Sequence, residues 1–431
     1  MAYKIDYNGI QFEITASLTY KDNKIVALLD KDNINSIIIV RDIKNHFHHI
    51  KLNIRDKGNL FAFNVLPDGN WKLQLSIFQN AEQAFSLSED DMTVAYEFIV
   101  DNVKPEFLSP EYSTVTISAT DPIVQTFLKS VSFATQTYED RSSLIESLLK
   151  SAGFIKTGTI DKCNIKDTYI TDNNSSLLSH VEFLLNKVYS PELGFLFFYH
   201  DYKKNEFKWV WSNKALKDIP SNTSSGKDAQ KLLKISGNDE FKHADYQTVT
   251  SSIIYNLNDL KTTSRQFINT EIQTFDLKKP KVEVKNSNKF EYKFFEDLAK
   301  YPEGKSMIPT IFPKDALKVG LTALFDKAKG NFYNISSEDV FIKEIRDAYI
   351  NNNMICLYVP GVISRPIGEV YMVEAIQNPV IMKLNGPWLC TKIVDEFKNG
   401  QYNQYIFLIR PGEEFADTQI KERLSKLGRG Q

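Results

Sequence analysis

Asn174-Ser175-Ser176-Leu177-Leu178-Ser179-His180-Val181-Glu182-Phe183-Leu184-Leu185-Asn186-Lys187-Val188 runs through Pro191 into Gly194-Phe195-Leu196-Phe197-Phe198-Tyr199 and returns as Phe207-Lys208-Trp209-Val210-Trp211. Behind the Asn/Ser cap region, Leu177, Leu178, Val181, Leu184, Leu185 and Val188 recur at helical spacing, and Pro191 stops the run. The aromatic segment that follows is too short for another helix. The polar turn 201–205 and the alternation of Phe207, Trp209 and Trp211 with Lys208 and Val210 predict a β-hairpin burying one face. A helix that feeds directly into a hairpin, with β-patterned chain on both sides, sets the fold class as α+β and multi-domain.

Working outward, Asp140-Arg141-Ser142-Ser143 caps a second helical stripe of Leu144, Ile145, Leu148, Leu149 and Ala152, and Gly153 supplies the left-handed stop. Upstream, the chain is β-patterned. Ile10 to Ile14 and Trp71 to Phe78 alternate at period two, Ile37 to Val40 is a β-branched run, and Val94 to Val100 is a further strand candidate. Leu60, Phe61, Phe63 and Val65 lead into the turn Pro67-Asp68-Gly69-Asn70. Short strands at roughly ten-residue spacing predict a small barrel or sandwich over 1–105, with a linker between Pro105 and Pro110. The helix and hairpin form a second region, 110–215.

Downstream, residues 216–350 read as a mixed region. Ser221 to Gly226 is a loop, Ile253 to Leu257 and Gln266 to Phe275 are strand candidates, and Pro280 to Asn288 is charged and exposed. Leu317, Leu321, Leu324 and Phe325 predict a helix over 315–328, and Ser336 caps another helical piece reaching Ala348. From Met354 the chain is β again, with turns at Pro360-Gly361, Asn385-Gly386 and Asn399-Gly400, so that 351–411 supplies hairpins completing a second barrel. Residues 412–431 are a polar tail.

The composition restricts function. Of the 431 residues, 25% are charged and the net charge is −2, which argues against a protein that grips nucleic acid. Cys163, Cys356 and Cys390 lie far apart without a CxxC or Cys/His cluster, so no zinc or redox motif is expected, and Cys390 reads as a buried small residue made in a reducing compartment. The start Met1-Ala2-Tyr3-Lys4-Ile5-Asp6 lacks an apolar leader and the longest apolar run is far short of a span, so a soluble protein made in the cytoplasm, with no membrane anchor, is expected. His46-Phe47-His48-His49 is the one histidine cluster. With no companion carboxylate or cysteine at ligand spacing, it reads as a solvated loop or strand edge, and His200 as the opening of a polar turn. Glu89-Asp90-Asp91 and Glu413-Glu414 are acidic runs, and no GxSxG, HExxH, P-loop or GxGxxG is present. No catalytic residue, cofactor or metal is expected.

Two stretches resemble a known family. Tyr169 to Leu178, the helix on Leu177, Val181 and Leu184, and the hairpin with Gly194, Phe197, Asp201, Phe207 and Trp209 form the first. The second is Gly386-Pro387-Trp388-Leu389-Cys390-Thr391-Lys392-Ile393 with Tyr402 to Arg410, led into by Pro360-Gly361 and Pro366 to Val370. Together they resemble the central baseplate hub proteins of contractile-tailed phages, a family shared with the hub portion of type VI secretion spike proteins. The resemblance covers roughly 110–215 and 354–410. Where the family usually has a histidine in the last hairpin this chain has Glu396, and no spike module follows Arg410.

The resemblance implies a non-enzymatic structural subunit of the virion tail baseplate. It would be a homotrimer with two similar β-units per chain, giving a ring that joins a hexameric tail tube to a separate trimeric spike. The ring would touch other baseplate proteins and leave a lumen for DNA and the tape measure protein. Alternatives are a hexameric tube or distal-tail subunit, a glycan-binding tail module using an exposed aromatic hairpin, and an enzyme whose site is assembled from distant residues.

Overall fold

The computed structural model describes residues 3–7, 10–21, 24–29, 32–80, 92–129, 137–154, 160–169, 175–190, 193–202, 206–218, 226–236, 247–257, 271–276, 281–286, 318–324, 346, 353–376 and 384–410. The strands of the first unit are β1 (Tyr3–Tyr7), β2 (Ile10–Tyr20), β3 (Lys24–Leu29), β4 (Ile34–Asp42), β5 (His49–Lys57), β6 (Trp71–Asn80), β7 (Thr93–Ser109) and β8 (Tyr112–Thr120). Their alternation produces their burial: Ile10, Phe12, Ile14 and Ala16 on β2 and Trp71, Leu73, Leu75 and Ile77 on β6 all face one core. Each such aliphatic or aromatic side chain contributes roughly 1.5–3 kcal/mol on full burial.

The middle region carries helices Ile123–Phe127, Arg141–Ser151, Leu177–Leu185 and Ser212–Lys217, the pair β9 (Thr137–Asp140) and β10 (Lys166–Tyr169), and the hairpin β11 (Tyr189–Ser190), β12 (Gly194–Asp201) and β13 (Glu206–Trp211). The caps are those the sequence signals: the Asp140 side chain accepts from Ser142 N–H, Ser176 from Ser179 N–H, and Gly153 takes φ 92°. Further on come β14 (Leu232–Ser236), β15 (Ser251–Leu257), β16 (Glu271–Asp276), β17 (Lys281–Asn286), β18 (Lys318–Leu324), β19 (Asn353–Pro360), β20 (Val370–Ile376), β21 (Gly386–Lys398) and β22 (Gln401–Ile409).

A single 14-stranded sheet joins the two ends of the chain, in the order β1-β2-β6-β7-β8-β5-β4-β21-β22-β19-β15, with β3 on β2 and β20 between β14 and β21. The key pairing is β4 with β21, antiparallel with Val40 opposite Val394. β21 serves two neighbours in turn. Its first residues, Gly386 to Leu389, pair with β20; after an irregularity between Cys390 and Lys392 the rest pairs with β4. Such a bulge bends the strand and re-aims it. The tip of the last hairpin, with Phe397 and Tyr402, therefore packs in the core of the first unit, while Trp388, Leu389, Ile406 and Leu408 pack in the second core. The α+β, β-rich, multi-domain class expected from the sequence is what the chain adopts, with no pairing that closes a barrel among the described residues.

Several expectations are corrected. The linker between Pro105 and Pro110 is the outer part of β7, which hairpins at 110–111 into β8. β6 pairs with β7 only from Thr93 to Ile99. Beyond that point one flank of β7 needs no N–H donor, and a proline is tolerated there. Leu60 to Asn64 is a short helix where an apolar lead into a turn was expected. The helix predicted over 315–328 holds a strand instead, β18, parallel to β16, because a short apolar run fits either period. The helical piece from Ser336 to Ala348, apart from Arg346, and the tail 412–431 lie outside the described residues.

Candidate functional site

Where β4 meets β21, the buried face carries charge. Period two puts Asp395 on the same face as Ile393 and Phe397, all three buried. Arg41 of β4 grips it with both arms of its fork, Nε to Oδ2 at 2.9 Å and Nη2 to Oδ1 at 3.1 Å, and its Nη1 donates to the Arg365 carbonyl at 2.7 Å. Tyr402 Oη and Gln404 Nε2 donate to Asp395 Oδ1 at 2.7 and 2.6 Å. Burial disfavours the charged form of Arg41, but the adjacent carboxylate and tyrosines outweigh it, so the guanidinium is held above its ordinary value.

The segment 361–369, between β19 and β20, is tied into this cluster by side chains from distant elements. Gln404 accepts from Val362 N–H and donates to the Val362 carbonyl; Gln79 of β6 accepts from Ile363 N–H; Ser364 Oγ donates to Gln230 Oε1. Arg365 is fully buried and donates to the Pro360 carbonyl at 2.6 Å, Gln404 Oε1 at 2.7 Å and the Gln230 carbonyl at 3.2 Å. Burial lowers its pKa to about 10, with Tyr371, Tyr402 and Asp395 acting the other way. Gly361 is required because a Cβ there would lie 2.4 Å from the Tyr402 ring. A cavity of about 350 Å³ opens beside the cluster, lined by Arg41, His48, Tyr96, Asp201, Lys208 and Lys231 among others.

The histidine cluster is not a solvated loop. His46, His48 and His200 are all at least nine-tenths buried, at the seam between the first unit and the hairpin. His46, at φ 65°, stacks on Phe198 at 4.1 Å and donates from Nδ1 to the Phe198 carbonyl at 3.0 Å. His200 Nδ1 meets Asp121 Oδ2 at 2.5 Å, and its backbone N–H donates to the His46 carbonyl. His48 lies between Tyr96 and Tyr202, and neither ring nitrogen has a hydrogen-bonding partner among the described residues. Burial pulls His46 and His48 down to about 4, with Arg346 and Arg41 respectively adding to the effect.

The residues carrying the family resemblance are placed in the architecture, apart from 170–174 of the first stretch, which lie outside the described residues. Leu177, Val181 and Leu184 pack under Phe207 and Trp209. β12 is buried on both faces: Phe197, with Phe195 and Tyr199, faces the second core, while Leu196 and Phe198 face the helices. The expected one-sided hairpin is thus corrected to a central layer, with Glu206, Lys208 and Trp209 half-buried on β13 and Lys208 paired to Asp201. Its aromatics form no exposed platform for a sugar. Gly194 has φ +85°, and a Cβ there would sit 2.2 Å from Ser212 Oγ. Gly386 opens β21 at φ 114°. Trp388 is fully buried and donates from Nε1 to the Leu384 carbonyl at 2.7 Å, with the Arg410 guanidinium 4.0 Å from its ring. Lys392 lies over Phe407 at 5.1 Å.

Sequence reasoning missed Arg41, Arg365, Asp395 and Gln404. The available signal was phase: Asp395 falls on the buried beat of its strand, where an unpartnered carboxylate would not survive. Asp121-Pro122, an acidic residue before a helix-opening proline, was the matching signal for Asp121, whose Oδ1 accepts from Ile123 N–H.

Chemically the cluster is a saturated clamp. Its charged and amide groups spend their hydrogen bonds on one another and on backbone. Among the described residues, no group of three or more His, Cys, Asp or Glu could hold a metal ion, and no helix is long and apolar enough to cross a membrane. Burial raises all three thiols, Cys356 to about 11, which keeps them protonated and unreactive.

No family model and no curated protein matches this sequence. Solved structures do match in fold. A tail protein from Neisseria meningitidis MC58 superimposes at a TM-score of 0.52 with 8% identity, over 94% of this chain and 98% of that one. The 43 kDa tail protein of prophage MuSo2 from Shewanella oneidensis gives 0.52 with 12% identity, over 93% and 99%. A PdpA–VgrG complex from Francisella aligns at 0.49 with 12% identity, over 93% of this chain and 58% of that one. The chain shares its fold with these two tail proteins over nearly its whole length.

Proposed function

We propose that this chain is the central hub of a contractile injection baseplate. In this reading it is a homotrimeric, non-enzymatic ring within the virion tail. One face receives the hexameric tail tube, the other a separate trimeric spike, and other baseplate proteins contact the rim. The lumen passes DNA and the tape measure protein without base-specific grip, in keeping with a net charge of −2.

The observation that carries this reading is the joining of the two β-units into one sheet through β4 and β21, in a fold shared with tail proteins over nearly the whole chain. An adaptor between machine parts must transmit force between its two faces without hinging. A continuous backbone ladder locked by a buried charge clamp supports that role better than two modules on a linker would. Absolute mass by light scattering tests it. Three copies of the 49.5 kDa chain are expected. Six copies would assign the chain to the tail tube or a distal-tail ring, and a stable monomer would end the hub reading.

A further inference from the structure

The first unit carries a large apolar surface at one end. Leu60, Phe63, Leu66, Phe107, Leu108 and Tyr112 are 45 to 68% exposed. They are joined in space: the Phe63 and Phe107 rings lie 5.7 Å apart, tilted by 31°, and Gly58 N–H and Asn59 Nδ2 donate to the Glu111 and Pro110 carbonyls at the turn. At the ~150–250 Å² that a large aromatic side chain can bury, six residues about half to two-thirds exposed leave on the order of 600 Å² of apolar surface in water. That is at the upper limit of roughly 300–600 Å² for the largest patch on a typical monomer, and near the ~800 Å² per partner of a stable interface.

The surface has two complementary parts. One is an arm: β7 runs past its last pairing with β6 at Ile99 and turns at Pro110, so Phe107 and Leu108 point to opposite faces of a projecting hairpin. The other is a cleft of about 550 Å³ with mostly apolar walls, including Tyr20, Phe61, Val65 and Trp71, with Leu60 and Leu66 at its mouth. The exposed residues flanking the arm, Lys104, Glu106 and Glu111, mix both signs, as a polar rim does.

We infer that the apolar arm of one copy seats in the apolar cleft of the next, making this end of the first unit the subunit interface. Knob and hole are different parts of this surface, so an arm of one copy in the cleft of the next makes a heterologous contact, which closes into a ring when the rotation permits. This inference rests on the trimeric reading above and names the surface that builds it.

The test compares the wild-type chain with the triple variant Phe107→Ser/Leu108→Ser/Tyr112→Ser by light scattering, with far-UV circular dichroism and thermal melting as controls on folding. A trimeric wild type and a folded, monomeric variant are expected. A trimeric wild type with a still trimeric variant overturns the arm-and-cleft interface and leaves the hub reading standing; a monomeric wild type overturns both. Should the triple variant not fold, two single variants, Leu108→Cys and Leu66→Cys, are mixed under oxidation. Disulfide-linked dimers that form in the mixture and not in either variant alone support the interface. Their absence in a trimeric mixture overturns it.

Discussion

Two joints lie side by side in this chain and are made of opposite materials. Between the β-units, Arg41, Asp395, Tyr402, Gln404 and Arg365 form a charged cluster whose partners are all protein atoms. Between the first unit and the hairpin, aromatic rings pack with histidines, Phe47 on Phe127 at 5.0 Å and His46 on Phe198, with His200–Asp121 as the polar contact. The first joint costs desolvation and returns specificity, because the clamp is satisfied in one register only. The second depends on apolar burial and tolerates shape change better, but it holds His46 and His48 neutral and so depends on pH.

The comparison can be broken most severely at Asp395. In Asp395→Ala the buried Arg41 guanidinium loses its carboxylate and Tyr402 and Gln404 lose an acceptor, and a stability loss of about 3–5 kcal/mol is expected in denaturant melts, as for other broken buried ion pairs. The double variant Arg41→Met/Asp395→Leu should lose much less. Equal losses for the two would mean that packing, and not charge, holds this joint.

The aromatic joint is probed by acid. His46 and His48 bind a proton at about 4 when folded, against 6.5 when unfolded. A group with a depressed folded value contributes its full stability above the unfolded value and loses it as pH falls toward the folded one. Stability should therefore hold above pH 6.5 and fall between 6.5 and 4, by up to roughly 3 kcal/mol per histidine. His46→Phe should flatten part of that fall when melts are repeated across the range. An unchanged slope would show that the buried imidazoles do not control it.

A smaller effect, on the order of 2 kcal/mol, is expected from Gly194→Ala, which forces a side chain into left-handed backbone against Ser212. The smallest is Lys214→Ala: its pair with Asp161 is about half exposed on both sides, and melts should move by less than about 0.5 kcal/mol.

The residues that build each joint were legible to different degrees. The helix at Leu177–Leu185 and the hairpin after it could be read directly, because each is specified by neighbours three or four residues apart or by alternation within a strand. Asp395 was missed, although period two puts it on the buried face of its strand, because that phase names no partner. His46 and His48 misled, since a His-Phe-His-His run has the composition of a surface loop, and only the packing of Phe198 and Tyr202 against it removes the water. Pro105 misled as well. Its tolerance depends on β6 ending its pairing earlier, which is a property of another strand.

By itself the sequence determined the α+β class, the two capped helices, the aromatic hairpin and the tight turn at Asn399-Gly400, where both residues take positive φ. Those are local matters, settled by periodicity, capping and backbone conformation over a few residues. Only the tertiary structure decided that β21 leaves β20 and pairs with β4, bringing Asp395 to an arginine 354 positions away. Strand partnership between distant segments is chosen by the summed fit of whole faces and by which edges remain open once the rest has folded, and no window of sequence contains that sum.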